Sequence, residues 1–249
     1  MNTHNEPMSD IPLVSNKNIL VVVAHPDDAE SFCGGTIAKI VQRGNRVTVV
    51  ICTNGDRGSH NSQIRPSDLV QVRQLEQDRA RKILGIKDVI WLGYRDGELA
   101  TVSDLRERII RVIRQQQPTI IVSFDPWKHY EFHPDHRVVG FMTGEARMLA
   151  DLPWICPEFT LEGLIPWHVP ELYLFSSQEP NHWVDISSTI ELKVKSRLAH
   201  RSQNDFILCE EDRQTFIRQI KTKAEEAGKA CGSAYAEAFY KVDQTELWI

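Results

Sequence analysis

The residues Ile19-Leu20-Val21-Val22-Val23-Ala24, followed at once by His25-Pro26-Asp27-Asp28, decide how this chain is interpreted. An uninterrupted apolar run rich in β-branched residues is typical of a strand buried on both faces of a helix-covered parallel sheet. Ligands of such sheets bind beyond the carboxyl ends of the strands, so the imidazole and two carboxylates are candidates for chemistry. The structural alternative is that Asp27 or Asp28 caps a helix predicted from about Glu30 to Arg43.

A second cluster of the same composition occurs further along the chain. Ile120-Ile121-Val122-Ser123-Phe124 is followed, after a loop, by His133-Pro134-Asp135-His136. At average residue usage, one His-Pro-Asp triplet is expected in on the order of 1% of chains this long. Two triplets, each after a predicted buried strand, favour a shared site. Imidazole and carboxylate suit zinc, and a catalytic zinc keeps three protein ligands and an open position for water. His25, Asp28 and His136 would fill that role.

Strand and helix patterns alternate through the chain. Further strands are predicted over residues 47–52, 89–92, 120–124, 172–176 and 182–185, and helices over 67–84, from 103, from 134, over 188–199 and over 211–230. This alternation predicts an α/β fold, namely a Rossmann-like, doubly wound, mostly parallel sheet with helices on both faces. We expect a flexible tail over residues 1–17 and a single domain over 18–249 with a C-terminal strand and helix extension. No glycine fingerprint of a dinucleotide site follows the first strand.

The sequence also resembles a known family, the LmbE-like or PIG-L-type zinc-dependent N-acetylglucosamine deacetylases, in particular the branch of bacillithiol biosynthesis. The matching residues run in family order through nearly the whole chain: Ala24-His25-Pro26-Asp27-Asp28-Ala29-Glu30, Gly34-Gly35-Thr36, Thr53-Asn54-Gly55-Asp56-Arg57-Gly58, Arg73 to Glu76, Leu84-Gly85-Ile86, Asp96-Gly97, His133-Pro134-Asp135-His136, His200-Arg201-Ser202-Gln203 and Tyr235-Ala236-Glu237-Ala238-Phe239. The paired metal motifs are the specific part. Many relatives have Glu directly after the Asp pair, where this chain has Ala29.

The resemblance implies a role for each residue of the two clusters. It implies zinc, or another divalent metal such as Fe²⁺, on His25, Asp28 and His136. Asp27 would be the general base, and His133 the acid or the group that stabilises the oxyanion. The spacing also allows the roles of His133 and His136 to be exchanged. Asp135 is predicted to accept a proton from one imidazole and so fix its tautomer.

Four further residues are predicted to bind substrate. Arg57 lies in a glycine-flanked loop at a strand end, where its planar donor fork suits hydroxyls or a carboxylate. Asp96 follows the third strand and is either a sugar-hydroxyl acceptor or a turn former. Arg73 and Glu76 are either substrate contacts or an i,i+3 helix pair.

Composition limits the possible partners. The chain has 249 residues, 41% of them hydrophobic, and a net charge of −5, which argues against nucleic acid or an anionic membrane as a partner. Its five cysteines show no Cys-x-x-Cys spacing, which fits a reducing cytoplasm better than a disulfide framework. The resemblance implies a homo-oligomer, a trimer or a hexamer.

The predicted activity is metal-dependent hydrolysis of the N-acyl group of an N-acetylglucosamine-type sugar. A small soluble glycoside is favoured, either a GlcNAc-malate or a chitooligosaccharide. The remainder of the substrate is expected to meet the 59–67 loop, the 127–132 loop and a proline-rich segment, residues 151–171, with Trp154 and Trp167; that segment alternatively forms a subunit interface. Two other classes stay open, a nucleotide-binding module and a catalytically silent metal-binding protein.

Overall fold

The computed structural model describes residues 16–243. The predicted tail over residues 1–17 therefore lies outside the described residues except for Asn16 and Lys17. The strands are β1 (Asn18–Val23), β2 (Arg46–Thr53), β3 (Asp88–Tyr94), β4 (Ile120–Phe124), β5 (Glu171–Phe175), β6 (His182–Asp185) and β7 (Ala236–Lys241). The helices are α1 (Asp28–Gln42), α2 (Pro66–Leu84), α3 (Leu105–Gln116), α4 (Pro134–Leu149), the single turn α5 (Glu158–Leu161), α6 (Ile190–Leu198) and α7 (Glu210–Cys231).

All seven strands form one sheet in the order β3-β2-β1-β4-β5-β7-β6. Strands β1 to β5 are parallel, and β7 pairs antiparallel with both β5 and β6. Every residue of β1 after Asn18 is buried, as are all five residues of β4, because helices cover both faces of the sheet there. The prediction of a Rossmann-like, mostly parallel α/β sheet is confirmed.

The helices form two layers. Helices α1, α2 and α6 pack against one another, while α3 packs against α4. The chain therefore leaves β1 toward one face of the sheet and leaves β4 toward the other, and the two strands are neighbours. Ligands of open α/β sheets bind where adjacent strands diverge in this way. Both histidine clusters lie at this point.

The sequence prediction missed one strand. Residues 236–241 form β7, although the sequence pattern predicts no strand there and 235–239 belong to a matching motif. Its pairing with β5 and β6 depends on residues distant in sequence, so no local pattern marks it. Among residues 16–243, no helix combines the length and apolar character that a membrane span requires.

Candidate metal and acyl-transfer site

The corner between β1 and α1 turns His25 and Asp28 toward each other. Asp27, at the first position before the helix, has a φ of 96°, a left-handed conformation that is uncommon outside glycine. Its side chain makes no capping hydrogen bond. The Asp28 carboxylate instead accepts a 2.7 Å hydrogen bond from the backbone N–H of His25. The capping interpretation therefore does not explain either aspartate.

The His25 imidazole lies between carboxylates on both sides of the ring. Nε2 is 3.1 Å from an oxygen of Asp135 and 3.1 Å from one of Asp96, and Nδ1 is 3.4 Å from Asp28 Oδ2. Burial opposes protonation of His25, but its hydrogen bonds to Asp135, Asp28 and Asp96 outweigh burial and raise its pKa well above the usual value. The two carboxylates at Nε2 favour a proton on that nitrogen, so Nδ1, which faces Asp28, is the nitrogen that the neutral imidazole can offer to a metal.

Asp135 is fixed by the loop that follows β3. It is fully buried in the first turn of α4 and accepts backbone hydrogen bonds from Gly97 at 2.7 Å and Leu99 at 3.1 Å. Burial would raise its pKa, but the bond to His25 and these backbone donors lower it below the usual value. Asp135 is thus an ionised acceptor for His25, in the position predicted for a tautomer-fixing partner.

His133 and His136 bring the second cluster onto the first. Their rings stack on each other with centroids 4.4 Å apart, and His136 also stacks on Phe124 at the end of β4. His136 Nε2 is 3.6 Å from Asp28 Oδ1, and its Nδ1 is 3.7 Å from Glu131. The Nδ1 atoms of both histidines are buried without a hydrogen-bond partner. Burial and the imidazoles of His25 and His136 lower the pKa of His133.

Two sets of side chains can complete a three-ligand site with His25 and His136. One ring nitrogen each from His25, His133 and His136 lie within 4.8 Å of one another. Asp28 is the other possible third ligand, since its two oxygens face the two imidazoles at 3.4 and 3.6 Å. Tetrahedral zinc with bonds of about 2.0–2.1 Å separates its ligand atoms by roughly 3.4 Å. Each Asp28 distance, measured to a different carboxylate oxygen, is close to this spacing, so the donor set fits a zinc ion.

The Asp27 carboxylate lies between two arginines, whereas Asp28 faces two histidines. Arg73 Nη2 is 3.4 Å from Asp27 Oδ1, and Arg197 Nη2 is 3.4 Å from Asp27 Oδ2. The backbone N–H of Asp27 donates to Gln77 at 3.3 Å. Burial raises the pKa of Asp27, and the two guanidinium groups partly offset that effect. The adjacent aspartates therefore occupy different environments.

The four predicted substrate residues divide into two pairs. Arg57 and Asp96 border the cluster: Arg57 is exposed and pairs with Glu98 at 2.7 Å, while Asp96 contacts His25. Arg73 and Glu76 are only 2% and 3% exposed. Their hydrogen bonds go to protein groups, which gives both a structural role in place of the predicted contact with substrate.

The buried pair joins three segments of the chain. Arg73 donates to the carbonyls of Gly55 at 3.1 Å and Pro26 at 2.6 Å, so it ties α2 to the loops after β1 and β2. Glu76 accepts from the N–H and hydroxyl of Ser202 at 2.8 and 2.6 Å. These buried hydrogen bonds connect α2 to the loops that border the site.

The proline-rich segment lies at the opposite edge of the sheet. The Trp167 indole donates to the carbonyl of Pro118, which precedes β4, and Arg147 binds the carbonyls of Val169 and Pro170 just before β5. These are the amino ends of the strands, whereas the histidines lie at the carboxyl ends. The expectation that Trp154 and Trp167 wall the substrate is therefore wrong. The segment instead presents Trp154, which is 86% exposed, to solvent.

A large cavity also lies apart from the histidine cluster. It has a volume of about 690 Å³ and is bounded by α4, β5, β7 and the loop after β4. Its lining is mainly apolar and includes Trp127 to His129 of the 127–132 loop, but none of the predicted metal ligands or catalytic residues. The chemistry is therefore assigned to the histidine cluster.

Comparison with known proteins gives the family. The family described as PIG-L, GlcNAc-PI de-N-acetylase, matches residues 20–147. A diacetylchitobiose deacetylase of Thermococcus kodakarensis is 34% identical over 233 residues, which are 94% of this chain and 84% of that protein. This chain belongs to the PIG-L family.

Two further PIG-L relatives extend the comparison. The solved N,N'-diacetylchitobiose deacetylase of Pyrococcus horikoshii, in complex with an inhibitor, superimposes with a TM-score of 0.85 at 32% identity and covers 91% of this chain and 84% of that one. A probable N-acetyl-α-D-glucosaminyl L-malate deacetylase of Bacillus anthracis is 37% identical over 145 residues, 56% of this chain and 62% of that protein. The predicted enzyme class, an N-deacetylase that hydrolyses non-peptide amides, is confirmed.

Sequence reasoning missed Arg197 as a neighbour of the site. It lies in α6, beyond residues 20–147, and an arginine within a helix carries no local signal of function. The packing of α6 against α1 and α2 brings it to Asp27.

Proposed function

We propose that this PIG-L protein is a zinc-dependent hydrolase that removes the acetyl group from the amino sugar of a soluble N-acetylglucosamine glycoside. The observation that carries the proposal is the convergence of His25, Asp28 and His136 beside a differently placed carboxylate, Asp27. One acidic and two imidazole ligands leave a zinc ion an open position for water.

The ligand set has the surroundings that a catalytic metal requires. His25 donates through Nε2 to Asp135, and the His136 Nδ1 faces Glu131, so each imidazole has a carboxylate behind it. Zinc held by these residues would polarise the acyl carbonyl and lower the pKa of water to about 7. The same imidazole and carboxylate donors also suit another divalent metal such as Fe²⁺.

Side chains of the protein carry out the proton transfers of the reaction. Asp27 accepts the proton of the water whose oxygen bonds to the acyl carbon, and the carbon–nitrogen bond then breaks. His133 stabilises the developing oxyanion or carries a proton to the leaving nitrogen. The products are a free amine on the sugar and acetate. Arg57 and Asp96, at the rim, are the proposed contacts for sugar hydroxyls.

The substrate that the comparisons favour is a chitooligosaccharide such as N,N'-diacetylchitobiose. Two relatives named for that substrate are more than 30% identical over nearly the whole chain, whereas the GlcNAc-malate deacetylase matches 56% of it. GlcNAc-malate is the second candidate. The 127–132 loop leads directly into His133 and is exposed at Trp127, Tyr130 and Phe132, which suits contact with a second sugar ring.

The test is acetate release from N,N'-diacetylchitobiose and GlcNAc-malate. We expect release from the chitobiose to exceed release from the malate glycoside, to disappear on chelation, and to return with zinc. Activity that survives complete metal removal would contradict the mechanism. Absence of release from either substrate, together with NAD or ATP binding, would favour the nucleotide-binding alternative; metal binding alone would favour the silent protein.

The metal content of two alanine variants distinguishes the roles of His133 and His136. We expect His133→Ala to keep about one zinc per chain while kcat falls about 10²–10⁴-fold, as for loss of a general acid. His136→Ala should lose the metal. The reverse pattern would show that the two roles are exchanged.

We also propose a cytoplasmic homo-oligomer, a trimer or a hexamer. All five cysteines are free, which supports a reducing compartment. Trp154, Leu161 and Ile165 are 86%, 90% and 53% exposed on the proline-rich segment, which supports a subunit interface there. Light scattering of wild type beside Trp154→Ala checks this, with loss of assembly expected in the variant and unchanged assembly contradicting that interface.

A further inference from the structure

We propose that Arg197 is a positioning residue that holds the Asp27 carboxylate in its productive orientation. This inference rests on the proposed function, in which Asp27 accepts the proton of the attacking water. Arg197 lies in α6, outside the residues that match the family profile, yet its Nη2 reaches to 3.4 Å from Asp27 Oδ2. The reaction site would therefore include a guanidinium supplied by the C-terminal part of the chain.

Asp27 requires external support because its backbone is strained. A non-glycine residue at φ 96° is strained and persists only where its surroundings fix it. The Gln77 side chain accepts a hydrogen bond from the Asp27 N–H. Arg73 donates to the Pro26 carbonyl and to Oδ1 of Asp27. These contacts fix the backbone and one carboxylate oxygen. Rotation about the last side-chain bond is then limited by what contacts Oδ2, which is Arg197.

The Gln77 side chain is held in place by a buried carboxylate. Its amide nitrogen donates at 2.8 Å to Glu30, a fully buried carboxylate whose other oxygen lies 3.4 Å from the fully buried His200. His200 belongs to one of the matching motifs. The backbone of Asp27 is therefore held from α2 and from the end of α6, while the carboxylate depends on the two arginines.

Arg197 is itself held in place. Its Nη1 donates at 3.0 Å to the Asn204 side chain, and the Asn204 amide donates back to the Arg197 carbonyl at 3.2 Å. The guanidinium lies over the Phe216 ring of α7, 5.3 Å from the centroid. A side chain held at both ends can define the direction of the carboxylate it contacts, because it has few alternative rotamers.

Mutation of Arg73 is a less specific test of how the Asp27 carboxylate is positioned. Its guanidinium also ties two loop carbonyls together, and a Cβ on Gly55 or Gly58 would lie within 2.6 Å of it. Removal of Arg73 would therefore disturb the site's walls as well as Asp27. Arg197 can be changed with less damage, because apart from Asp27 its guanidinium contacts Asn204 and Phe216 of the C-terminal part of the chain and, among residues 16–243, ties no loop carbonyls together.

The test compares Arg197→Ala and Arg197→Lys with Lys195→Ala, an exposed residue of the same helix, as the matched control. Misplacing a catalytic group by about 1 Å can cost about 10²-fold, so we expect kcat of Arg197→Ala on N,N'-diacetylchitobiose to fall about 10–10²-fold. KM should change less than about threefold, because a base acts after binding. Zinc content should stay at the wild-type level, Arg197→Lys should recover part of kcat, and Lys195→Ala should match wild type.

A double variant separates positioning from simple loss of structure. If Arg197 acts through Asp27, Arg197→Ala should lower kcat by less than about twofold in an Asp27→Asn background. Multiplicative losses, or a wild-type kcat in Arg197→Ala, would overturn the inference. If Arg197→Ala does not fold, Asn204→Ala takes its place, with a smaller loss of kcat expected and an unchanged kcat overturning the inference.

The outcome also distinguishes this inference from the proposed function. Full activity in Asp27→Asn alone would remove Asp27 as the base and so overturn the proposed mechanism and this inference together. Loss of activity in Asp27→Asn with an independent effect of Arg197→Ala would overturn the positioning role alone.

Discussion

Two adjacent aspartates differ in what surrounds their oxygens. Burial acts on both, but Asp28 contacts His136 and His25, which lower its pKa strongly, whereas the pKa of Asp27 stays raised because two arginines at 3.4 Å only partly offset burial. A carboxylate that remains ionised suits a metal ligand, and one with a higher proton affinity suits a base. Asp27 has a left-handed φ of 96°, and the two neighbouring side chains contact different groups.

The Asp135→Asn variant tests the support behind the His25 ligand. An amide can present its NH₂ group to His25 Nε2 and so reverse the tautomer, and loss of such a partner typically costs about 10–100-fold in metal affinity or activity. We expect zinc affinity or kcat to fall by that factor, as measured by zinc titration and acetate release. Glu145→Gln, an exposed change in the same helix, is the control. Equal behaviour of the two variants would contradict this role.

The elements closest to the chemistry are also those that the sequence predicts well. Strand β1 is apolar from Ile19 onward, and β4 is apolar except for Ser123. Helix α4 begins at Pro134, where a proline at the first helical position is favourable. Strand β7 was missed because it is defined by antiparallel pairing with β5 and β6. The proline-rich segment contains only the single helical turn α5, and only the fold shows that the segment lies at the far edge of the sheet.

Close approach of α4 to the end of β4 depends on Gly140. A Cβ at this position would lie 2.8 Å from the Phe124 carbonyl oxygen and 3.0 Å from Pro126. We expect Gly140→Ala to destabilise the protein by about 1–3 kcal/mol, since overpacking against backbone forces α4 to shift. The shift would also move His136, so kcat should fall. Urea unfolding and acetate release measure the two effects.

Gly144 in the same helix is the matched control. A Cβ there meets nothing within 4 Å. Alanine has a higher helix propensity than glycine by about 0.8–1.0 kcal/mol, so Gly144→Ala should be neutral or stabilising. Equal destabilisation by both changes would contradict the account of α4 packing.

At the scale of the whole molecule, the C-terminal elements hold the first helix. Glu237 of β7 accepts the N–H groups of Gly35 and Thr36 in α1, at 3.0 and 2.7 Å. Lys193 of α6 pairs with Glu237 at 2.5 Å and donates to the Ser31 carbonyl at 2.7 Å. The matching motif at residues 235–239 is thus explained by the support it gives to α1, a role that single-sequence patterns do not reveal.

Removal of the Lys193 charge should therefore destabilise the fold. Breaking a buried ion pair by removal of one partner typically costs about 3–5 kcal/mol, because the other charge stays buried. We expect Lys193→Met to lower the free energy of unfolding by that amount in urea denaturation, and exposed Lys195→Met to have little effect. A loss below about 1 kcal/mol in Lys193→Met would contradict the role given to this pair.

In the proposed mechanism Asp28 holds the metal, whereas its neighbour Asp27 accepts the proton of the attacking water. The most direct measurement is the zinc content per chain of Asp27→Asn and Asp28→Asn, determined by mass spectrometry beside acetate release from N,N'-diacetylchitobiose. We predict that Asp27→Asn retains about one zinc with kcat reduced about 10²–10⁴-fold, and that Asp28→Asn loses both metal and activity. Metal loss in Asp27→Asn with full metal retention in Asp28→Asn, or full turnover in Asp27→Asn, would contradict it.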